Sequence, residues 1–360
     1  MSEEIPAAFC DNITIESKTS IHSKKTDTYH KPFSFSFSYL PLPGQTLRRG
    51  SGKQPKGRYN TMLDKNKVRI GIAPIAWTED DMPEMGAENS FLQTISEIAL
   101  TGYVGTEIGC QFPRDPAILN KELGRRGVAA ITGWISTYLN EQPMWWNERA
   151  FVDHMYFLKS IGATVINTSD QSFSIQHQWN TPLSRKKILN DDEWEVLTKG
   201  LDHLGKIAAD EGMKIVYHHH MTTTVQTTSE IDRMLSMTDP KYVSMIYDTG
   251  HLTFSGEDPI EILKKHHDRI GHVHLKNVRK AAMDKCYAEN KSFLRSIPEG
   301  VFTVPGDPEG CVDFPAVFKL LDEYNYEGWL VVEAEQDPAI ANPLDYAKMA
   351  REYVRKHIGF

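Results

Sequence analysis

From Lys67 onward the chain alternates short apolar runs with longer amphipathic segments, and eight repeats of that alternation confine it to folds made of β-α units around a parallel sheet. The apolar runs at 68–73, 105–109, 128–133, 164–168, 214–218, 244–247, 270–275 and 329–333 are predicted strands. Segments 88–101, 116–126, 147–161, 191–211, 228–236, 259–267 and 314–324 are predicted helices, and 342–356 is a closing one. Gly102, Gly127, Gly162 and Gly212 fall where helices should stop. No strand is left over, and no Gly-x-Gly-x-x-Gly loop follows the first strand, so the pattern fits a closed (β/α)8 TIM barrel better than an open dinucleotide-binding sheet. Residues 277–312 form a long connection after the seventh strand, where long loops commonly cover a substrate.

The first 61 residues read differently. They are rich in Ser, Thr, Lys and His, with a low-complexity Phe33-Ser34-Phe35-Ser36-Phe37-Ser38 stretch and a basic, glycine-rich stretch from Arg48 to Arg58. Such a segment cannot close a core, so residues 1–61 are predicted to be a disordered extension and 62–360 the barrel domain. Met62 is then the expected working start of translation. An organelle transit peptide is the rival reading, and Glu3, Glu4, Asp11 and Glu16 speak against it.

Composition excludes several roles. Apolar runs break within about ten residues, short of the ~20 that a transmembrane helix needs, and the amino terminus lacks a secretory apolar core. Four scattered cysteines without a Cys-x-x-Cys pair indicate neither a zinc knuckle nor a disulfide framework, so a cytoplasmic location is expected. A formal net charge of -8 repels a polyanion, which disfavours nucleic acid as a partner.

The chemistry gathers at the strand ends. Tyr217-His218-His219-His220 closes the fifth strand, Tyr247-Asp248-Thr249-Gly250-His251 the sixth, His272-Val273-His274-Leu275-Lys276 the seventh, and Val332-Glu333-Ala334-Glu335 the eighth. In a parallel barrel these ends share one rim, and catalytic residues belong there. Side chains alternate along a strand, so His218 and His220 share a face while His219 points away; His272 pairs with His274, and Glu333 with Glu335. One donor per strand end, His218, Asp248, His274 and Glu333, makes a mixed nitrogen and oxygen set that suits Mn2+, Co2+, Fe2+ or Zn2+ better than Ca2+. Each residue also has a plain structural reading: Asp248 as a helix cap, a lone histidine as a hydrogen-bonded core residue, and Glu335 as loop polarity before Gln336-Asp337-Pro338. What favours a metal is the grouping, because eight of the 14 histidines lie between His218 and His274.

The strings Tyr247-Asp248-Thr249-Gly250-His251, His272-Val273-His274-Leu275-Lys276 and Gly328-Trp329-Leu330-Val331-Val332-Glu333 resemble the xylose isomerase-like TIM barrels. Within them, Tyr217-His218-His219-His220-Met221, Gly105-Thr106-Glu107-Ile108-Gly109 and Phe302-Thr303-Val304-Pro305-Gly306-Asp307 resemble the inosose dehydratases of myo-inositol catabolism, over about residues 64–357. The resemblance implies a lyase that takes water from scyllo-inosose, a cyclic polyol ketone, to give a trihydroxycyclohexane-dione. It also implies Mn2+ or Co2+, and glutathione as a cofactor. Many relatives end the fifth strand with a metal-binding Glu where this chain has His218, so His220 or Gln226 stays open as the fifth-strand ligand. Thr222-Thr223-Thr224 stands where a glycine is expected after Met221.

The substrate sets the mechanism. Removing a proton next to a ketone builds negative charge on oxygen, which a cation stabilises, and the departing β-hydroxyl needs a general acid. Lys276, His251 and His220 are the expected acid-base or orienting groups, with Glu107 holding substrate hydroxyls and Trp134 a ring face. An epimerase or isomerase would use the same enediolate; an endonuclease shares Asp248-x-x-His251; a polyol-binding barrel would lack the metal. A homo-oligomer is compatible with the sequence but not specified by it.

Overall fold

In the computed structural model the described residues are 63–360, so the extension predicted over 1–61 lies outside them. Eight parallel strands close on themselves: β1 (Val68–Ile72), β2 (Gly105–Ile108), β3 (Ala129–Thr137), β4 (Val165–Asp170), β5 (Lys214–His218), β6 (Val243–Asp248), β7 (Ile270–Leu275) and β8 (Gly328–Val332). Each pairs with its neighbours in sequence, and β8 closes the circle on β1 with Val68 opposite Gly328 and Ile72 opposite Val332. The fold is the (β/α)8 barrel that the alternation predicts. Strands such as Lys-Ile-Val-Tyr-His of β5 are buried along nearly their whole length, as expected where helices cover one face and a barrel interior the other.

Between the strands, capping residues start the helices where they are expected. Asn190 and Glu193 form a reciprocal capping box on Asp191–Asp210, and Asp115 caps Pro116–Gly124, where Pro at the first position costs no hydrogen bond. Gly212, with φ of 75°, ends the Asp191–Asp210 helix in the left-handed region that favours glycine. The helices pack on the outside of the barrel through Ile95, Leu119, Phe151, Leu201, Ile231, Leu263 and Phe318, all in the main apolar core. Among the described residues no helix is long and apolar enough to cross a membrane.

The strand and helix limits differ from the sequence reading in several places, and two of the differences bear on the rim. β3 runs to Thr137 rather than stopping at Gly133, because Trp134 to Thr137 continue to pair with Asn167 to Asp170 of β4. Residues 277–312 are a small structured cap: the helices Lys280–Ala288 and Phe293–Ser296, and an antiparallel ribbon of Asn277–Val278 with Phe302–Thr303. Val278, Phe293, Ile297, Val301 and Phe302 share a second apolar cluster with Met82, Leu183, Met221 and Phe254, which fastens the cap over one end of the barrel.

The alternation of β8 decides which of its side chains enter the barrel. Trp329 and Val331 pack with Ile131 and Ala73 inside the barrel, apart from the main core that holds Leu330 and Val332. A Cβ on Gly105 would lie 2.5 Å from the Trp329 ring, so only glycine leaves room for this plug. Two residues beyond Val331 on the same face comes Glu333, at the carboxyl rim beneath the cap.

Candidate metal and catalytic centre

At the carboxyl rim, neighbouring strands bring their last inward-facing residues into contact. His218 Nε2 lies 3.3 Å from Asp248 Oδ2, and His274 Nδ1 lies 3.3 Å from the same oxygen. Glu333 Oε2 also meets His274 Nδ1. All four side chains are buried. Among the described residues, His218, Asp248 and His274 form one of three groups whose donor atoms converge closely enough to hold an ion, and Glu333 joins them through His274. His274 Nδ1 and Glu333 Oε2 are both shielded from solvent and face each other.

Each donor is aimed by its neighbours. His274 Nε2 is 3.0 Å from Glu107 Oε1, which fixes the ring with Nδ1 turned toward the carboxylates. Asp248 serves two purposes: Oδ1 accepts from the backbone N–H groups of Gly250 and His251, capping the Thr249–Phe254 helix, while Oδ2 faces the imidazoles. The cap and the ligand readings therefore hold together. Burial works against the Asp248 anion, but Lys276 and the surrounding imidazoles hold its carboxyl well below the ordinary range. Burial likewise opposes charge on His274, yet Glu333 and Glu107 hold its proton affinity well above the usual imidazole value.

Beside this group stands a second one, His220, His251 and Glu335. Lys276 Nζ lies between the two groups, 2.8 Å from Glu335 Oε1, 3.0 Å from His251 Nε2, and 3.5 Å from both Asp248 Oδ2 and Glu333 Oε1. Burial would lower the lysine, but the three carboxylates outweigh it and keep the ammonium above its ordinary value. Burial first, and then the Lys276 charge, hold His251 well below the normal imidazole range; burial and His251 do the same to His220. Both rings are thus neutral near pH 7. Glu335, read from sequence as loop polarity or a companion to Glu333, is 2% exposed and tied to Lys276.

Of the fifth-strand candidates, His218 is the one that lies beside Asp248 and His274. His220 packs against His251 with ring centres 3.8 Å apart and planes tilted by 45°, and Gln226 Oε1 accepts from the Thr222 backbone N–H at 2.6 Å. His219 points away, its Nε2 receiving the Asp248 N–H. Thr222 adopts φ of 68°, the left-handed conformation for which a glycine was expected; for a β-branched residue this stores strain of about 1–3 kcal/mol. Its neighbour Thr223 holds the turn through hydrogen bonds to the carbonyls of His220 and Val225.

Two expected substrate contacts fare differently. Trp134 lines the site edge-on to His218 and His220, with ring centres 5.4 and 5.9 Å away. Glu107 is instead engaged with protein, its Oε1 meeting Nε2 of both His272 and His274 at 2.9 and 3.0 Å. An oxygen shared by two imidazoles orients those rings, a positioning role that the sequence reading did not include. The sequence reading missed the acidic turn after β1. Glu79 is fully buried, with Oε2 unpartnered, and burial followed by repulsion from Asp81 and Glu335 raises its carboxyl well above the ordinary range. Asp81 accepts from Gln176 Nε2 and lies 2.9 Å from His177 Nε2. Three successive acids, Glu79-Asp80-Asp81, just past a barrel strand were the available signal.

The closed barrel and its rim of histidines and carboxylates define a xylose isomerase-like TIM barrel, and the family model of that name matches residues 136–357. The IolI protein, solved with bound zinc, shares this fold at a TM-score of 0.60 and 17% identity, covering 81% of this chain and 98% of that one. Curated relatives are much nearer in sequence. The chain is 52% identical over 300 residues to inosose dehydratase from Clostridium beijerinckii, spanning 83% of this chain and all of that protein. It is 54% identical over 299 residues to the enzyme of that name from Geobacillus thermodenitrificans, with the same coverage. The chain belongs to the inosose dehydratase family.

Proposed function

We propose that this chain removes water from scyllo-inosose to give a trihydroxycyclohexane-dione, using a divalent cation, Mn2+ or Co2+, held by His218, Asp248, His274 and Glu333. The observation that carries the reading is the convergence of four buried donors, with His218 Nε2 and His274 Nδ1 each 3.3 Å from Asp248 Oδ2 and Glu333 Oε2 against His274 Nδ1. A cation among these donors fits the set, because two imidazole nitrogens and two carboxylates are a common ligand field for such metals. When bound, the ion supplies positive charge that stabilises an enolate oxygen.

The chain's own residues divide the remaining work. Glu107 fixes the His274 ring through Nε2. His220, kept neutral with Nε2 free, is the available base for the carbon-bound proton, and His251 Nε2 orients the Lys276 ammonium. Lys276 keeps its proton until an oxygen more basic than itself develops, which suits it to protonate the departing hydroxyl. Trp134 gives the polyol an aromatic wall, and the 277–312 cap shields the site from water. Glutathione and a cytoplasmic setting are carried over from the family resemblance and the scattered cysteines. The dependence of turnover on added glutathione tests the former.

The test is incubation of purified protein with scyllo-inosose and Mn2+, following the dione's ultraviolet absorbance and the loss of substrate. Dione formation is expected. Recovery of an epimer in place of the dione would replace this reading with the epimerase one.

A further inference from the structure

His220, His251 and Glu335 converge as a buried donor group of their own, next to the group assigned to the divalent ion. Their chemistry is that of a metal site. His220 Nδ1 lies 2.9 Å from the Met221 carbonyl, which places the ring proton there and leaves the Nε2 lone pair available. Glu335 Oε2 is buried without a partner. What already stands among these donors is an ammonium: Lys276 Nζ contacts Glu335 Oε1 at 2.8 Å and His251 Nε2 at 3.0 Å.

The lysine is built into that position. The Thr249 hydroxyl donates to the Lys276 carbonyl at 2.6 Å and accepts its backbone N–H at 3.1 Å. Its stem lies against Gly250, where an added Cβ would come within 2.3 Å of Lys276 Cγ. The Phe302 ring, from the cap ribbon, has its centre 4.9 Å from Nζ. Charge favours the same arrangement. Asp248, Glu333 and Glu335 bring three negative charges around Nζ, and one dication together with one ammonium neutralises them. A second dication beside the ammonium would leave excess positive charge in a buried site, where screening is weak.

We infer that Lys276 occupies, as a resident cation, a second metal position formed by His220, His251 and Glu335, and thereby limits this centre to one divalent ion. The inference rests on the reading of His218, Asp248, His274 and Glu333 as the first ion's ligands. It predicts that the residue at 276 sets the number of ions bound: with the ammonium gone, three donors and an unbalanced carboxylate are ready for a second one.

Full-length protein loaded with excess Mn2+ and passed through gel filtration tests this by metal count per chain, measured by plasma mass spectrometry. The wild type is expected to hold one Mn2+. Lys276→Ala is expected to hold two, with the exchange-coupled electron paramagnetic resonance spectrum of a close Mn2+ pair, and Lys276→Met gives a second neutral variant that preserves the stem's bulk. Adding Glu335→Gln to Lys276→Ala should return the count to one. A wild type that takes two ions at saturating Mn2+ overturns the inference without any variant, and so does a folded neutral variant that stays at one. A wild type that binds none defeats the metal-centre reading itself, a distinguishable result.

Discussion

Replacing Glu107 by Gln preserves the side chain's shape while removing the charge that orients the His274 ring. Glu107 Oε1 meets two imidazole nitrogens, His272 Nε2 at 2.9 Å and His274 Nε2 at 3.0 Å, and only the second belongs to a proposed ligand. Each charge-assisted bond is worth about 1.5–3 kcal/mol. Loss of the anionic acceptor lowers the basicity of His274 Nδ1, and changes of this kind behind a ligand weaken metal binding by about 10- to 100-fold, or about 1.4–2.8 kcal/mol. Titration of Mn2+ against a competing chelator reads the effect directly. In Glu107→Gln the Kd for Mn2+ should rise by that factor, while kcat at saturating Mn2+ falls less. His272→Gln, which removes the other bond and spares His274, should leave the affinity nearly unchanged. Mn2+ affinity that is equal in Glu107→Gln and the wild type, or lost equally in His272→Gln, would refute the assignment of Glu107 as the group that aims His274.

Asp248→Asn should keep its fold to within about 1 kcal/mol, because an amide oxygen still caps the Thr249–Phe254 helix, while metal content by mass spectrometry and turnover both collapse. Gly250→Ala forces a Cβ into the Lys276 stem and should lower stability by about 1–3 kcal/mol, read as a reduced Tm in a thermal melt. His154 tests the pH dependence of the barrel wall: burial, only partly offset by the Gly133 carbonyl, lowers its pKa from 6.5 to about 4. The unfolded chain therefore takes up this proton first, so stability is full above pH 6.5 and falls as pH drops toward 4. Relative to His154→Gln, the wild type should lose about 1–3 kcal/mol over that interval in urea unfolding, allowing for the ring's partial exposure. Parallel curves for the two proteins would show that His154 does not contribute.

Much of this architecture was legible because parallel strands impose a period that helices do not share. β5 and β7 match their predicted limits, Lys214–His218 and Ile270–Leu275, since a glycine-ended helix precedes the first and charged residues flank the second. β3 was cut short because Gly133 reads as a stop, whereas pairing with β4 carries the strand through it. The cap was legible only as a long connection: Phe293, Ile297 and Phe302 pack against Met82, Leu183 and Met221, distant in sequence, so no local period betrays them. At the site, His218, Asp248, His274 and Glu333 followed from strand ends sharing a rim. The link from Glu107 to His272 and His274 did not, since it crosses the barrel interior between residues 165 and 167 positions apart. Nor did the burial of Glu335, whose partner Lys276 lies on another strand's end.

The central claim is that turnover of scyllo-inosose depends on a cation held by His218, Asp248, His274 and Glu333. One sample, assayed for dione absorbance after exhaustive chelation and again after addition of Mn2+ or Co2+, tests it most directly. The predicted result is silence in the chelated protein and recovery in proportion to the metal restored. Full dione production by protein shown to contain no metal would contradict the account.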